Sequence, residues 1–85
     1  MTAVLFVSEM DDGCSAQLAG TYDRRSLWFL EKHLAELDGD VVIDCTKAER
    51  VAAECIDALR NFSRRGTREG RRVVVHTGAN VRTVP

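Results

Sequence analysis

Apolar and polar residues change their rhythm several times along the 85 residues, and each change marks an element. "AVLFVSEMDDGCSAQLAG", residues 3–20, reads as two short strands about a turn at Asp11-Asp12-Gly13. Asp-Gly tolerates the positive φ that tight hairpins need. From Asp23 onward the period becomes helical, with Leu27, Leu30, Leu34 and Leu37 recurring at spacings of three and four. Asp23 suits the cap of that helix and Gly39 its end. "DVVIDC", residues 40–45, is a brief β-branched run, apolar on both sides, which predicts a central strand covered on both faces. Ala52, Cys55, Ile56, Leu59 and Phe62 then line one face of a second helix, with Gly66 as its expected C-cap. "RRVVVHT" supplies another buried strand, and "GANVRTVP" predicts the start of a last helical turn.

The order β-β-α-β-α-β places two helical crossovers between successive later strands, which obliges those strands to run parallel with right-handed connections. The fold class expected is therefore α/β. A small mixed sheet, an antiparallel N-terminal hairpin followed by parallel strands, has helices packed against it. No repeat or linker interrupts residues 1–85, so a single domain is expected, and a chain of this size buries only roughly 60–65% of its unfolded surface. Hydrophobic residues make up 45% of the chain but only five are aromatic, so the core is built from Val, Leu, Ile and Ala with little volume for a deep ligand cavity. No apolar stretch is long enough for a membrane span, and no basic start precedes an apolar run as in a signal peptide. A cytoplasmic location is the resulting expectation.

The net charge of −1 conceals an asymmetry: residues 1–57 hold twelve acids against five Lys or Arg, and residues 58–85 hold one against seven. The basic set Arg60, Arg64, Arg65, Arg68, Arg71 and Arg72 lacks interleaved aromatics, so it reads as a solubilising face able to steer an acidic partner, and nucleic acid is not expected. Cys14, Cys45 and Cys55 are odd in number, widely spaced and set in or beside apolar segments, which suits reduced core residues rather than a disulfide or zinc framework. No metal or other cofactor is implied. His33 and His76 lack a neighbouring ligand pair and read as hydrogen-bonded or surface residues. No Ser-His-Asp set and no P-loop can be assembled, which removes hydrolase and NTPase chemistry.

Several local motifs then fall into an order with a known counterpart. Gly20-Thr21-Tyr22-Asp23 follows the second strand; Val41-Val42-Ile43-Asp44 forms the third; Gly70-Arg71-Arg72-Val73-Val74-Val75 leads into the next; Val81-Arg82 would open a final helix. From Leu18 to Val84 the chain resembles the STAS domain of bacterial anti-sigma factor antagonists and sulfate-transporter tails. That family shows Gly-x-x-Asp after its second strand, a long amphipathic helix, a Val-Val-x-Asp strand and Asp-Ser-x-Gly before a helix. Counted on from Asp44 without gaps, that last motif, in its Asp-Ser-Ser-Gly form, falls on Ala52-Ala53-Glu54-Cys55. The acid, both hydroxyls and the glycine of the family are thus absent, and the position of the phosphoacceptor serine is degenerate at Ala53 and Glu54.

The resemblance implies a loop through about Val51 and a helix beginning near Ala53. Thr46-Lys47-Ala48-Glu49 matches a capping box, which would instead start the helix near Lys47. Asp44 lies at the carboxyl end of its strand on either reading, the edge where α/β sheets bind ligands, or else serves as a turn-forming cap. Glu54 brings a single negative charge to a helix start where phosphate would sit, or simply stabilises that terminus.

The function implied is a non-enzymatic protein-binding module without serine phosphorylation. It would dock its partner through Asp23, Asp44, Thr46, Ala53, Glu54, Cys55, Asp57 and Arg60. The resemblance points to an anti-sigma factor kinase as that partner; an accessory subunit gripping a transporter ATPase is the alternative. A third reading is a small enzyme using Cys55, whose thiol sits near a helix N-terminus. The family usually adds a further strand and helix beyond this point, so an uncovered sheet edge and a homodimer through it are also expected.

Overall fold

The computed structural model describes residues 2–77 and 82–84. Strands β1 (Val4–Met10) and β2 (Gly13–Tyr22) form the N-terminal hairpin, and a 3₁₀ turn at Arg24–Ser26 leads into α1 (Leu27–Ala35). Strand β3 (Asp40–Ala52) runs straight into α2 (Ala53–Arg68), followed by β4 (Val73–His76) and β5 (Arg82–Val84). The sheet order is β1-β2-β3-β4, antiparallel between β1 and β2 and parallel thereafter, with β5 beside the far end of β3. The mixed α/β architecture is the one the sequence predicts. No described helix is long and apolar enough to cross a membrane.

Strict alternation in β2 sends Cys14, Ala16, Leu18 and Tyr22 to one face, where Val41, Ile43 and Cys45 of β3 join them. The helices bury Leu30, Leu34, Cys55, Leu59 and Phe62 against that face, each large aliphatic side chain contributing about 1.5–3 kcal/mol. Tyr22 is fully buried and its hydroxyl donates to the Val4 carbonyl at 2.5 Å, which ties β1 to the core. The opposite face of the sheet carries no helix among the described residues, and Phe6 and Met10 of β1 are more than half exposed there. β3 is therefore covered on one face, not two as its apolar run suggests. Val42, out of phase with the core residues, is only half-buried.

Four expectations about the ends of elements need correction. β3 is thirteen residues long, so neither the loop through Val51 nor the capping box at Thr46 exists; the helix does start at Ala53. The register against β2 slips twice, between Gln17 and Ala19 and between Gly20 and Thr21, each time by one extra residue of β3. Those bulges turn a burial period of two into Cys45, Ala48, Val51, a spacing of three that imitates a helix. α1 ends at Ala35, before Gly39, whose positive φ of 69° instead serves the entry to β3. Arg82–Val84 form a strand and not a helical turn; the rest of the expected turn, including Val81, lies outside the described residues.

Gly66 is not a C-cap. It is buried inside α2, where a Cβ would sit 2.4 Å from Val73 Cγ2, so its smallness lets β4 close against the helix. Gly70, at φ 78°, follows the helix end instead. The hairpin turn needs no positive φ at Asp11 or Asp12. Gly13 is required for another reason, since a Cβ there would lie 1.8 Å from the Asp40 carbonyl oxygen where β2 meets the start of β3.

Arg71 leaves the solubilising set. Its Nε donates to the Gly39 carbonyl at 2.8 Å and its Nη2 to the Leu37 carbonyl at 3.0 Å, while the guanidinium lies 5.6 Å from the Phe62 ring centre. One side chain thus straps the segment before β3 to the segment before β4, and Glu69 pairs with its remaining arm at 3.2 Å.

Arg71→Met keeps the apolar stem and removes the donors; the urea midpoint is expected to fall by the equivalent of about 2–3 kcal/mol, with Arg71→Lys intermediate. Gly13→Ala is expected to cost about 3 kcal/mol or more through backbone overlap. Gly70→Ala, which meets nothing within 4 Å, should cost only the about 1–2 kcal/mol of a left-handed residue, a contrast that thermal or urea unfolding reads directly.

Candidate functional site

α2 begins without a linker, its N-cap Ala52 extended (φ −64°, ψ 153°) and offering no side-chain hydrogen bond to the first turn. Ala53 is the first helical residue and half-buried, and neither it nor Glu54, the two positions onto which the resemblance would place the phosphoacceptor, carries a hydroxyl. Glu54 follows in the first turn, where a negative charge complements the free N–H groups. Its Oε2 lies 3.4 Å from Arg24 Nε; the Arg24 side chain is open to solvent and that of Glu54 partly so, which leaves the pair screened and weak.

Cys55 is fully buried and its Sγ contacts the Asp23 carbonyl oxygen at 3.4 Å, which locks the 3₁₀ turn to the start of α2. Burial first, then the nearby Glu54, Asp23 and Glu31, pushes this thiol up to about 11. Cys45 is pushed up to about 11 as well, again chiefly by burial and then by Asp44. A helix N-terminus would lower a thiol pKa, but here loss of solvent outweighs it. All three cysteines are free and buried, as their apolar settings suggest.

The Asp23 carboxylate is engaged in a closed capping box: Oδ1 accepts from the Ser26 N–H and hydroxyl, both at 3.1 Å, while Ser26 Oγ accepts from the Asp23 N–H at 3.3 Å. Asp57 and Arg60 are exposed on the outer side of α2. Asp44 and Thr46 are elsewhere. Both lie on the helix-free face in mid-strand, where Asp44 Oδ1 accepts from the Thr46 N–H at 2.8 Å and its hydroxyl at 2.6 Å. Those bonds hold the Asp44 carboxyl below its ordinary range, with Gln17 and His76, its register neighbours on β2 and β4, adding to the effect.

The eight residues read from the sequence therefore fall into two groups on opposite sides of the sheet. Asp23, Ala53, Glu54, Cys55, Asp57 and Arg60 surround the first turns of α2, with Cys55 beneath the surface; Asp44 and Thr46 are on the far face. Sequence reasoning missed Arg24, whose pairing with Glu54 crosses thirty residues and leaves no local trace. It also missed an open groove of about 480 Å³ between α2 and β4, floored by Ile56, Leu59 and Val75 and flanked by Arg60, Ser63 and Arg64. The His33 Nδ1–H donates to the Phe29 carbonyl at 2.8 Å, and His76 is exposed at the end of β4.

No protein-family model matches the sequence, and no curated protein matches it. Solved structures do. The crystal structure of an antisigma-factor antagonist STAS domain from Rhodobacter sphaeroides superposes with a TM-score of 0.62 at 23% identity, over 93% of this chain and 87% of that one. The chain has the STAS-domain fold. A second match, the crystal structure of Mglu, reaches a TM-score of 0.77 at 20% identity over 91% of this chain, and the chain spans only 20% of that protein's length. In the STAS fold of this chain, the segment that the resemblance would make a loop is strand, and the strand delivers Ala53 directly to the head of α2.

A thiol pKa raised to about 11 means that the thiolate is a minute fraction at neutral pH and grows only as pH climbs toward that value. Iodoacetamide at neutral pH is expected to leave Cys55 unmodified in the folded protein and to alkylate all three cysteines in denaturant, read by intact mass. Rapid native labelling of Cys55 would restore the thiol-enzyme reading.

Proposed function

We propose that the chain acts as a non-catalytic docking module, residues 1–85 forming one unit that grips a protein partner through the exposed flank of α2. The observation that carries this is the head of that helix. Ala53 presents no hydroxyl, Cys55 is a buried core thiol, and what remains accessible is a contact surface of Glu54, Asp57 and Arg60 beside Arg24. Such a surface supports recognition and no bond-making chemistry.

With no phosphoacceptor at Ala53, the contact is constitutive rather than switched, and the single charge of Glu54 is already partnered by Arg24. Likeness in fold to an antisigma-factor antagonist favours a regulatory ATPase of the anti-sigma kinase class as the partner, in the cytoplasm. Asp44 and Thr46 drop out of the docking surface because the sheet separates them from α2.

Affinity capture from the native host with the full chain as bait is expected to retain a kinase-like ATPase. Asp57→Arg and Arg60→Glu should each weaken capture about tenfold or more, equivalent to about 1.4 kcal/mol, while Asp44→Asn leaves it unchanged. Loss of capture on Asp44→Asn with both α2 variants intact, or the absence of any stable protein partner, would refute the reading.

A further inference from the structure

β1 is the end strand of the sheet, and its outer edge has no partner among the described residues. Natural proteins blunt such edges with Pro, Lys, bulges or covering loops. Val4–Met10 carries only one charge, Glu9 near its end: the sequence VLFVSEM contains no Pro and no Lys or Arg, and the pairing with β2 is unbroken over seven residues. The strand is also apolar on both sides. Phe6 (56% exposed), Met10 (55%) and Val4 (36%) line the helix-free face, and Val7 (50%) faces the helix layer without being covered by it.

The backbone parity of this edge follows from the hairpin. Met10 and Gly13 flank a two-residue turn, so Met10, Ser8, Phe6 and Val4 are the residues that exchange hydrogen bonds with β2. The Val4 carbonyl indeed points inward, where it accepts the Tyr22 hydroxyl. Leu5, Val7 and Glu9 consequently turn their N–H and C=O groups outward, three donor–acceptor sets aimed at solvent.

We infer that β1 is a homodimerisation edge, pairing antiparallel with β1 of a second copy about a two-fold axis at Val7. In that register Val7 meets Val7 of the second copy, Leu5 meets its Glu9, Phe6 its Ser8, and Val4 its Met10. Every outward backbone set finds another outward set, because odd positions meet odd positions. Glu9, the one charged side chain of the strand, faces Leu5 of the second copy and not its own counterpart, so no like charges oppose each other. The ladder is about 24 Å long.

The two four-stranded paths then join into one eight-stranded sheet with all helices on one side, and the exposed residues Val4, Phe6 and Met10 of both copies meet in the middle of the other face. A two-fold antiparallel pairing consumes both β1 edges and closes, so association through this edge stops at two chains. This edge is at the far end of the sheet from β4 and the α2–β4 groove, so dimer formation leaves the flank of α2 open.

Sedimentation of the full chain across a concentration series is expected to show a reversible monomer–dimer equilibrium and no larger species. Val7→Pro removes one outward N–H and fills the edge with a ring, a change that an edge strand tolerates when that N–H faces solvent. It is expected to be monomeric at every concentration, with far-ultraviolet dichroism and urea midpoint close to the parent. Val7→Lys, which places a charge on a half-exposed side chain, gives the same result without altering the backbone. Amide exchange completes the assignment: the Leu5, Val7 and Glu9 amides slow as concentration rises, whereas in Val7→Lys they exchange at the fast rate of a free edge. A monomer throughout the parent's concentration range, a dimer that survives both substitutions, or open-ended oligomers would each overturn the inference.

Discussion

Ten residues of β2 lie in parallel beside thirteen of β3, and this single pairing is what the rest of the molecule hangs on. The three additional residues of β3 are absorbed partly by two register slips, which twist the strand and change which side chains face the helices. Without them Ala48 and Val51 could not both be buried, and the strand would not arrive at Ala52 aimed to continue directly as α2. The helix head, with Ala53, Glu54 and Cys55, is thus positioned by strand pairing and not by a connecting loop. Rigid placement of this kind suits the constitutive docking surface proposed above.

Coverage on one side gives the domain a thin core, and its composition follows. Cysteine and alanine fill places that would take larger residues in a thicker layer: Cys14, Ala16, Cys45, Ala48 and Cys55 are all buried. The same tightness explains the glycines that matter, Gly13 under the Asp40 carbonyl and Gly66 against Val73. Arg71 compensates at the end where α1 and α2 finish, joining two chain segments through backbone carbonyls that would otherwise compete for water.

The sheet divides the molecule into two unlike sides. One carries the helices and the accessible flank of α2; the other carries exposed apolar residues of β1 together with Asp44, whose carboxylate is already satisfied by Thr46. The docking proposed for the helical side and the self-pairing inferred at the β1 edge call on surfaces that do not overlap, so a dimer would offer two copies of the α2 flank on one face of a continuous sheet.

Hydrophobic period and the Asp-Gly turn gave away the hairpin, and period gave away both helices and most of their buried faces, while the order of motifs carried the STAS likeness; Leu30, Leu34, Cys55, Leu59 and Phe62 are buried as their spacing requires. The absence of a hydroxyl at Ala53 was equally legible, because it is a matter of identity at one position. Only the tertiary structure decided that residues 46–52 are strand: a doubly bulged strand buries every third residue, as a helix nearly does, and the choice rests on whether β2 is there to pair with it. The side of the sheet on which Asp44 emerges, the inward turn of Arg71 and the reason for Gly66 were likewise invisible in the sequence. Each depends on a contact between residues distant along the chain, which local periodicity does not encode.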